Sequence, residues 1–205
     1  SGWTRACGDE FIAKAFEYAH AADPDALLIS AWHNHWPDGA RGIDASRRAA
    51  PLPFRTDGTP DIAAWVAANG IRPDQFLDLG VVPNALLAPI LREADAAIFP
   101  NRCEGGTNLV AMEAMACGVP TILSANTGHL DLLRDGAALA LTDQRAIPSA
   151  PGWRESNIEE ILAALEDLYT DRARAREIGA AGAKLLAGLT WAKTADEIKR
   201  IISKL

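Results

Sequence analysis

The chain has 205 residues, a net charge of -7 and a hydrophobic share of 49%, enough apolar material to bury a substantial core in one large domain or two small ones. The acidic balance excludes a general attraction to nucleic acid or to an anionic membrane face, so any anionic ligand has to be held by a local site. Cys7, Cys103 and Cys117 are an odd number at spacings that match neither a zinc site nor a disulfide framework, which suits a reduced cytoplasm. No apolar run approaches the ~20 residues of a bilayer span, so no transmembrane segment is expected, and the N-terminus has no signal pattern. The opening Ser1-Gly2-Trp3 has no initiator methionine and is what a chain cut from a longer one would show.

In chain order, Phe11, Ile12, Ala15, Phe16 and Ala19 behind Asp9 predict a helix over residues 9–21. Asp23-Pro24-Asp25 breaks it, and the run ALLISA at 26–31 reads as a strand covered on both faces. Trp32-His33-Asn34-His35-Trp36 then stands at the carboxyl end of that strand, where ligands of open α/β sheets tend to sit. No acidic or cysteine ligand lies close in sequence to complete a metal site around its two histidines, which leaves a part in shaping a ligand cleft or an ordinary loop. Residues 37–60 read as a loop, and residues 61–69 as a short helix that Gly70 ends. A strand is expected at 76–79, closed by Gly80. A helix follows over 84–93, with Pro89 pushing its start towards Leu87 because proline is tolerated in the first turn. Residues 96–99 form the strand that opens the central unit.

After that unit, a short helix is expected at 130–134, a strand at 137–141 and a loop at 144–152. Ser156 with Glu159 has the form of a capping box for a helix over 157–169. Asp171 can cap a further helix, which Gly188 interrupts, and residues 191–205 form a terminal helix with Trp191, Ala195, Ile198 and Ile202 on one face. Strands alternating with helices imply an α/β fold with a doubly wound parallel sheet, since parallel strands need crossovers, followed by a C-terminal helical cluster. The loops after the strands, including the Trp-His loop, the Gly80 loop and the central turn, are expected on one edge.

The central stretch, residues 96–128, reads strand, glycine turn, helix, strand. Its turn, Glu104-Gly105-Gly106-Thr107-Asn108, supplies two glycines and two N-cap residues where the backbone bends and exposes N–H groups, a suitable place for a phosphate or simply a capped helix start. The helix after it carries one charge, Glu113, among apolar residues, and is expected to be buried all round. A carboxylate there needs a hydrogen-bonded partner or a place in a ligand cleft; an edge position reaching solvent or a nearby arginine is the plainer alternative. Glu104 and Glu113 could accept hydrogen bonds from hydroxyl groups at two ends of one ligand, with phosphates between them.

These residues resemble a known family. The run FPNRCEGGTNLVAMEAMACGVPTILSANTGH looks like the donor-binding motif of the retaining glycosyltransferases of family 4, the group 1 enzymes of the GT-B fold. Phe76-Leu77-Asp78-Leu79-Gly80, Ala94-Asp95-Ala96 and the segment around Trp191 extend the likeness over most of residues 76–205. The resemblance implies a Rossmann-like GT-B C-terminal domain spanning 1–205, which binds a nucleotide diphosphate sugar, while an N-terminal acceptor domain for a carbohydrate or lipid-linked acceptor lies outside the chain. It implies Glu104 as the catalytic contact to the transferred sugar, the turn Gly105, Gly106, Thr107, Asn108 and Leu109 at the diphosphate, and Glu113 on the ribose hydroxyls. Gly128 and His129 resemble the turn beside the nucleotide, and the base would lie near the Gly80 to Pro83 loop, with Val81 in it. Transfer in that family needs no metal or other cofactor and retains anomeric configuration.

Two departures stand out. The glutamates are nine positions apart, one more than is usual, a subgroup pattern. The family's N-terminal turn brings an arginine and a lysine to the diphosphate, whereas here it reads Arg5-Ala6-Cys7-Gly8, with Cys7 at the lysine position. Arg5 or Arg102 is the candidate replacement, with a solvated surface arginine as the other reading of each. With the acceptor domain outside these residues, the isolated chain is expected to bind donor weakly and transfer little. A nucleotide-sugar epimerase of the same architecture and a non-catalytic binding module are the alternatives, and no Gly-x-Gly-x-x-Gly after a strand supports an oxidoreductase.

Overall fold

The computed structural model describes residues 25–33, 40 and 49–204. The helix expected at 9–21, Arg5, Cys7 and the end of the Trp-His run lie outside them. Five parallel strands are present among the described residues. Strand β1 (Leu28–Ser30) pairs with β2 (Phe76–Asp78), and β3 (Ala97–Phe99), β4 (Thr121–Ser124) and β5 (Leu139–Leu141) pair in chain order. The helices between strands are α1 (Ile62–Ala68), α2 (Asn84–Leu91) and α3 (Leu109–Ala116). An antiparallel hairpin, β6 (Gln144–Ala146) with β7 (Arg154–Ser156), precedes α4 (Ile158–Thr170), α5 (Arg172–Ala187) and α6 (Trp191–Ile202). None of the described helices is long and apolar enough to cross a membrane.

Strand alternation sorts the core into two layers around β3–β4–β5, because neighbouring residues point to opposite faces. Ile122 packs with Leu141, Ile161, Leu168 and Ile178, while its neighbour Leu123 packs with Ala111, Met115, Leu132 and Leu186. Helices therefore cover both faces, as a doubly wound sheet requires. The β1–β2 pair has its own cluster around Ile62, Trp65 and Ile71. There the Trp65 indole N–H donates to the Ala50 carbonyl at 2.8 Å, which satisfies the one polar atom of a fully buried ring.

Local signals set most of the helix ends. Asp61, Asn108, Asp171 and Thr190 each accept from a backbone N–H of the first turn of α1, α3, α5 and α6. Four expectations are corrected. Helix α2 starts at Asn84, not near Leu87, and keeps Pro89 inside it; both Pro89 and Ala85, the residue whose carbonyl loses its donor, are exposed to water. The helix expected at 130–134 is a 3-10 turn at Thr127–Asp131, and the loop expected at 144–152 contains β6. The cap of α4 is Asn157, not Ser156, which lies buried in β7 and accepts a hydrogen bond from Gln144.

Helix α6 has the expected apolar stripe, yet none of its residues is buried, and Trp191 is 90% exposed. Helix α5, in contrast, lies close against α3 and the turn after it. A Cβ on Gly179 would sit 2.1 Å from the Gly118 carbonyl oxygen, and one on Gly182 would sit 3.0 Å from that of Ala137. Gly179→Ala is expected to destabilise the fold by about 1–3 kcal/mol through overpacking, although the same change in an open helix would stabilise it by roughly 1 kcal/mol. The midpoint of urea unfolding decides the sign.

Candidate functional site

The site forms where the chain leaves β3 and β4. Asn108 Oδ1 accepts from the Ala111 N–H at 3.0 Å and so caps α3. Of the two N-cap residues in the turn it is the second that serves, while Thr107 Oγ1 folds back to Met112 Sδ at 3.5 Å. Among the described residues, the backbone N–H groups of residues 105–110 donate to no protein acceptor. Gly105, Gly106, Thr107 and Leu109 are exposed. A run of free amides at the positive end of a helix dipole is suited to an anion.

The turn holds this shape because it docks on the turn after β4. The Glu104 N–H donates to Thr127 Oγ1 at 2.8 Å, and the Gly128 N–H donates to the Glu104 carbonyl at 3.3 Å. A Cβ on Gly128 would lie 1.6 Å from the Gly106 carbonyl oxygen, so only glycine permits the approach. Thr127 has a φ of 41°, in the left-handed region that side chains avoid. Its hydroxyl compensates by joining the two turns, accepting from Glu104 and donating to Asn126 Oδ1 at 2.9 Å.

His129 lies beneath this contact and is fully buried. The cap occupies Asn108 Oδ1, so Asn108 presents Nδ2 to His129 Nε2 at 3.1 Å. That assigns Nε2 as the acceptor and puts the ring proton on Nδ1, 3.1 Å from the Ser124 carbonyl and 3.0 Å from Ser124 Oγ. Ser124 Oγ in turn donates to the Asn101 carbonyl at 2.6 Å. Burial pushes the His129 pKa down to about 4, against the hydrogen bond to the Ser124 backbone, which raises it. Both ring nitrogens of His129 are used inside the protein, so its side chain supports the cap.

The two glutamates differ in setting. Glu104 is half-buried, and its Oε2 accepts from Asn101 Nδ2 at 3.1 Å. Burial raises its pKa above the ordinary value, with the Asn101 hydrogen bond opposing. Glu113 stands about 6 Å along α3 from Leu109, on a face shared with Leu109, which is 67% exposed, and the exposed Ala116. Helix α3 is therefore not buried all round; its buried face is Ala111, Ala114 and Met115. Among the described residues no hydrogen bond or ion pair engages the Glu113 carboxylate.

Arg102, named as a candidate cation for phosphate or as a solvated surface arginine, is not on the surface. It is 1% exposed and turns inward to Glu155, with Nη2 and Nε at 3.1 and 3.3 Å from Glu155 Oε1. Val81 is 70% exposed on the loop after β2. Beside that loop, Asp78 Oδ1 accepts from the Gly80 N–H at 3.0 Å and Asp78 Oδ2 meets His33 Nε2 at 2.8 Å. Among the described residues no group of three or more His, Cys, Asp or Glu could hold a metal ion. Asn101, Ser124, Asn126 and Thr127 were not singled out from the sequence. The signal available for them was a polar run directly after each of two apolar strands.

Free amides at a helix start on a parallel, doubly covered sheet define a Rossmann-like domain, and solved structures share this fold. Sucrose-phosphate synthase from Thermosynechococcus elongatus matches with a TM-score of 0.69 at 22% identity, over 100% of this chain and 43% of that one. Anabaena HepE in complex with UDP-glucose matches with a TM-score of 0.69 at 13% identity, over 100% and 47%. The family described as family 4 glycosyltransferases in conflict systems matches residues 84–198, more than half of the chain, and the chain belongs to that family. The D-inositol 3-phosphate glycosyltransferase of Geodermatophilus obscurus is 34% identical over 114 residues, 55% of this chain and 22% of that protein. The matches span from 22% to 30% of the length of the curated relatives.

The buried His129 makes stability depend on pH. Its folded pKa of about 4 lies below the unfolded value near 6.5, so the unfolded state binds the extra proton between these values and stability falls as pH falls through that window. Moving from pH 8 to pH 5 should cost about 2 kcal/mol. Denaturant midpoints across this range should show the slope in the parent chain and its loss in His129→Gln.

Proposed function

We propose that this chain is the donor-binding half of a retaining glycosyltransferase, which moves a sugar from a nucleotide diphosphate sugar to an acceptor held by a separate N-terminal domain. The observation that carries the reading is the run of amides at 105–110, flanked by Glu104 and Glu113, in which neither the amides nor the Glu113 carboxylate has a partner among the described residues. A diphosphate placed on those amides would sit on the dipole of α3, with the transferred sugar towards Glu104 and the ribose hydroxyls towards Glu113. The base would extend to the loop of Val81. As the bond from the sugar to the diphosphate breaks, negative charge grows on the leaving phosphate, where preorganised amides stabilise it without a divalent ion. UDP-glucose bound to the structurally similar HepE supports the ligand class. The acceptor is a carbohydrate or a lipid-linked one. The free thiols Cys103 and Cys117 support a cytoplasmic setting.

Calorimetric titration with uridine, guanosine and adenosine diphosphate glucose tests the reading. One of them should bind, and Glu113→Ala should abolish that binding with little change in thermal midpoint. A large loss of stability with binding intact would instead make Glu113 structural. The isolated chain should transfer little; turnover equal to that of a two-domain enzyme would overturn the assignment to a half-site. One observation favours a second reading, a non-catalytic nucleotide-sugar-binding module: Arg102 is committed to Glu155 and offers no charge to the phosphates. Donor bound tightly but neither hydrolysed nor transferred when an acceptor domain is supplied would favour it.

A further inference from the structure

The β6–β7 hairpin lies outside the free-amide turn, yet β7 bonds the loop that carries Glu104 and β6 bonds the turn after β4 that docks on it. From β7, the Arg154 N–H donates to the Arg102 carbonyl at 2.9 Å, and Glu155 accepts from the buried Arg102 guanidinium. From β6, Gln144 Oε1 accepts from Asn126 Nδ2 at 2.8 Å, while Gln144 Nε2 is held by the Leu141 carbonyl and Ser156 Oγ. Asn126 Nδ2 also donates to the Asn101 carbonyl at 2.9 Å, and Asn126 Oδ1 receives the Thr127 hydroxyl. These two routes end on Glu104. Asn101 Nδ2 holds its carboxylate, and Thr127 Oγ1 holds its backbone N–H.

We infer that Glu155 and Gln144 are positioning residues for Glu104: the hairpin sets where that carboxylate stands, and so governs recognition of the transferred sugar rather than of the nucleotide. The inference rests on the donor-site reading above. It follows from the geometry because the amides of 108–110 and Glu113 belong to α3 and its cap, which the hairpin does not touch through any of these bonds, whereas Arg102 is bonded to the hairpin directly and Asn101 through Asn126. A buried arginine is costly unless paired, so Glu155 also keeps the loop from turning outward. A carboxylate whose supporting hydrogen bonds are lost wanders by more than a sugar contact tolerates.

The test compares each of uridine, guanosine and adenosine diphosphate glucose with its parent nucleoside diphosphate, titrated into the 205-residue chain, Glu155→Gln and Gln144→Met. Gln144 is half-buried and the methionine is close to it in size, so that variant keeps the test open if Glu155→Gln fails to fold. The sugar nucleotide that binds should do so roughly five- to tenfold more weakly in both variants, the worth of about one hydrogen bond, with binding of its parent diphosphate unchanged. An equal loss for diphosphate and sugar nucleotide would make the hairpin a general scaffold and overturn the inference, as would no change in either. If the parent chain binds diphosphates but no better with the sugar attached, the positioning role fails while the nucleotide site stands. If it binds none of them, the donor-site reading itself fails and takes the inference with it.

Discussion

The Gly106 carbonyl lies against Gly128 with no room for a β-carbon between them, and this contact constrains the rest of the site. Once the turn after β3 docks on the turn after β4, its carbonyl side is used up against protein and its N–H groups face outward. The docking has a local cost, a left-handed Thr127, offset by the two hydrogen bonds its hydroxyl makes.

Beneath the contact is a polar layer in which each group has one role. Asn108 must use its oxygen as the cap, which leaves its amide nitrogen for His129, which in turn must be neutral to accept it. Ser124 closes the layer by linking His129 to the Asn101 carbonyl. A low dielectric makes such a network strong when complete and costly when one member changes. The same logic applies to Arg102, whose buried charge is met by a carboxylate 53 residues further along the chain. The site is therefore rigid behind and open in front, where Leu109 and Glu113 share an accessible face.

Much of the architecture was legible because the signals are local. The apolar runs of β1, β3 and β4, the caps Asp61, Asn108 and Asp171, and the glycine turn each depend on a few neighbouring residues. The hairpin was not legible, since three-residue strands with polar members show no period, and its pairing is fixed by Arg102 and Asn126 from elsewhere in the chain. Pro89 misled for a related reason: a proline inside a helix is unfavourable unless the freed carbonyl reaches water, and exposure is a property of the fold. The inward turn of the His129 and Arg102 side chains was not legible either, because sequence neighbours on a tight turn can point to opposite sides.

By itself the sequence determined a parallel α/β domain with a glycine turn at a helix start and two carboxylates around it, because alternation, capping and turn chemistry act over a few residues. Tertiary structure decided which polar side chains face solvent and which face the core. Glu113 has no partner among the described residues and Glu104 is held by Asn101, whereas His129 and Arg102 are turned inward. That division depends on partners brought together only by the docking of the two turns and the hairpin behind them, and no local pattern records it.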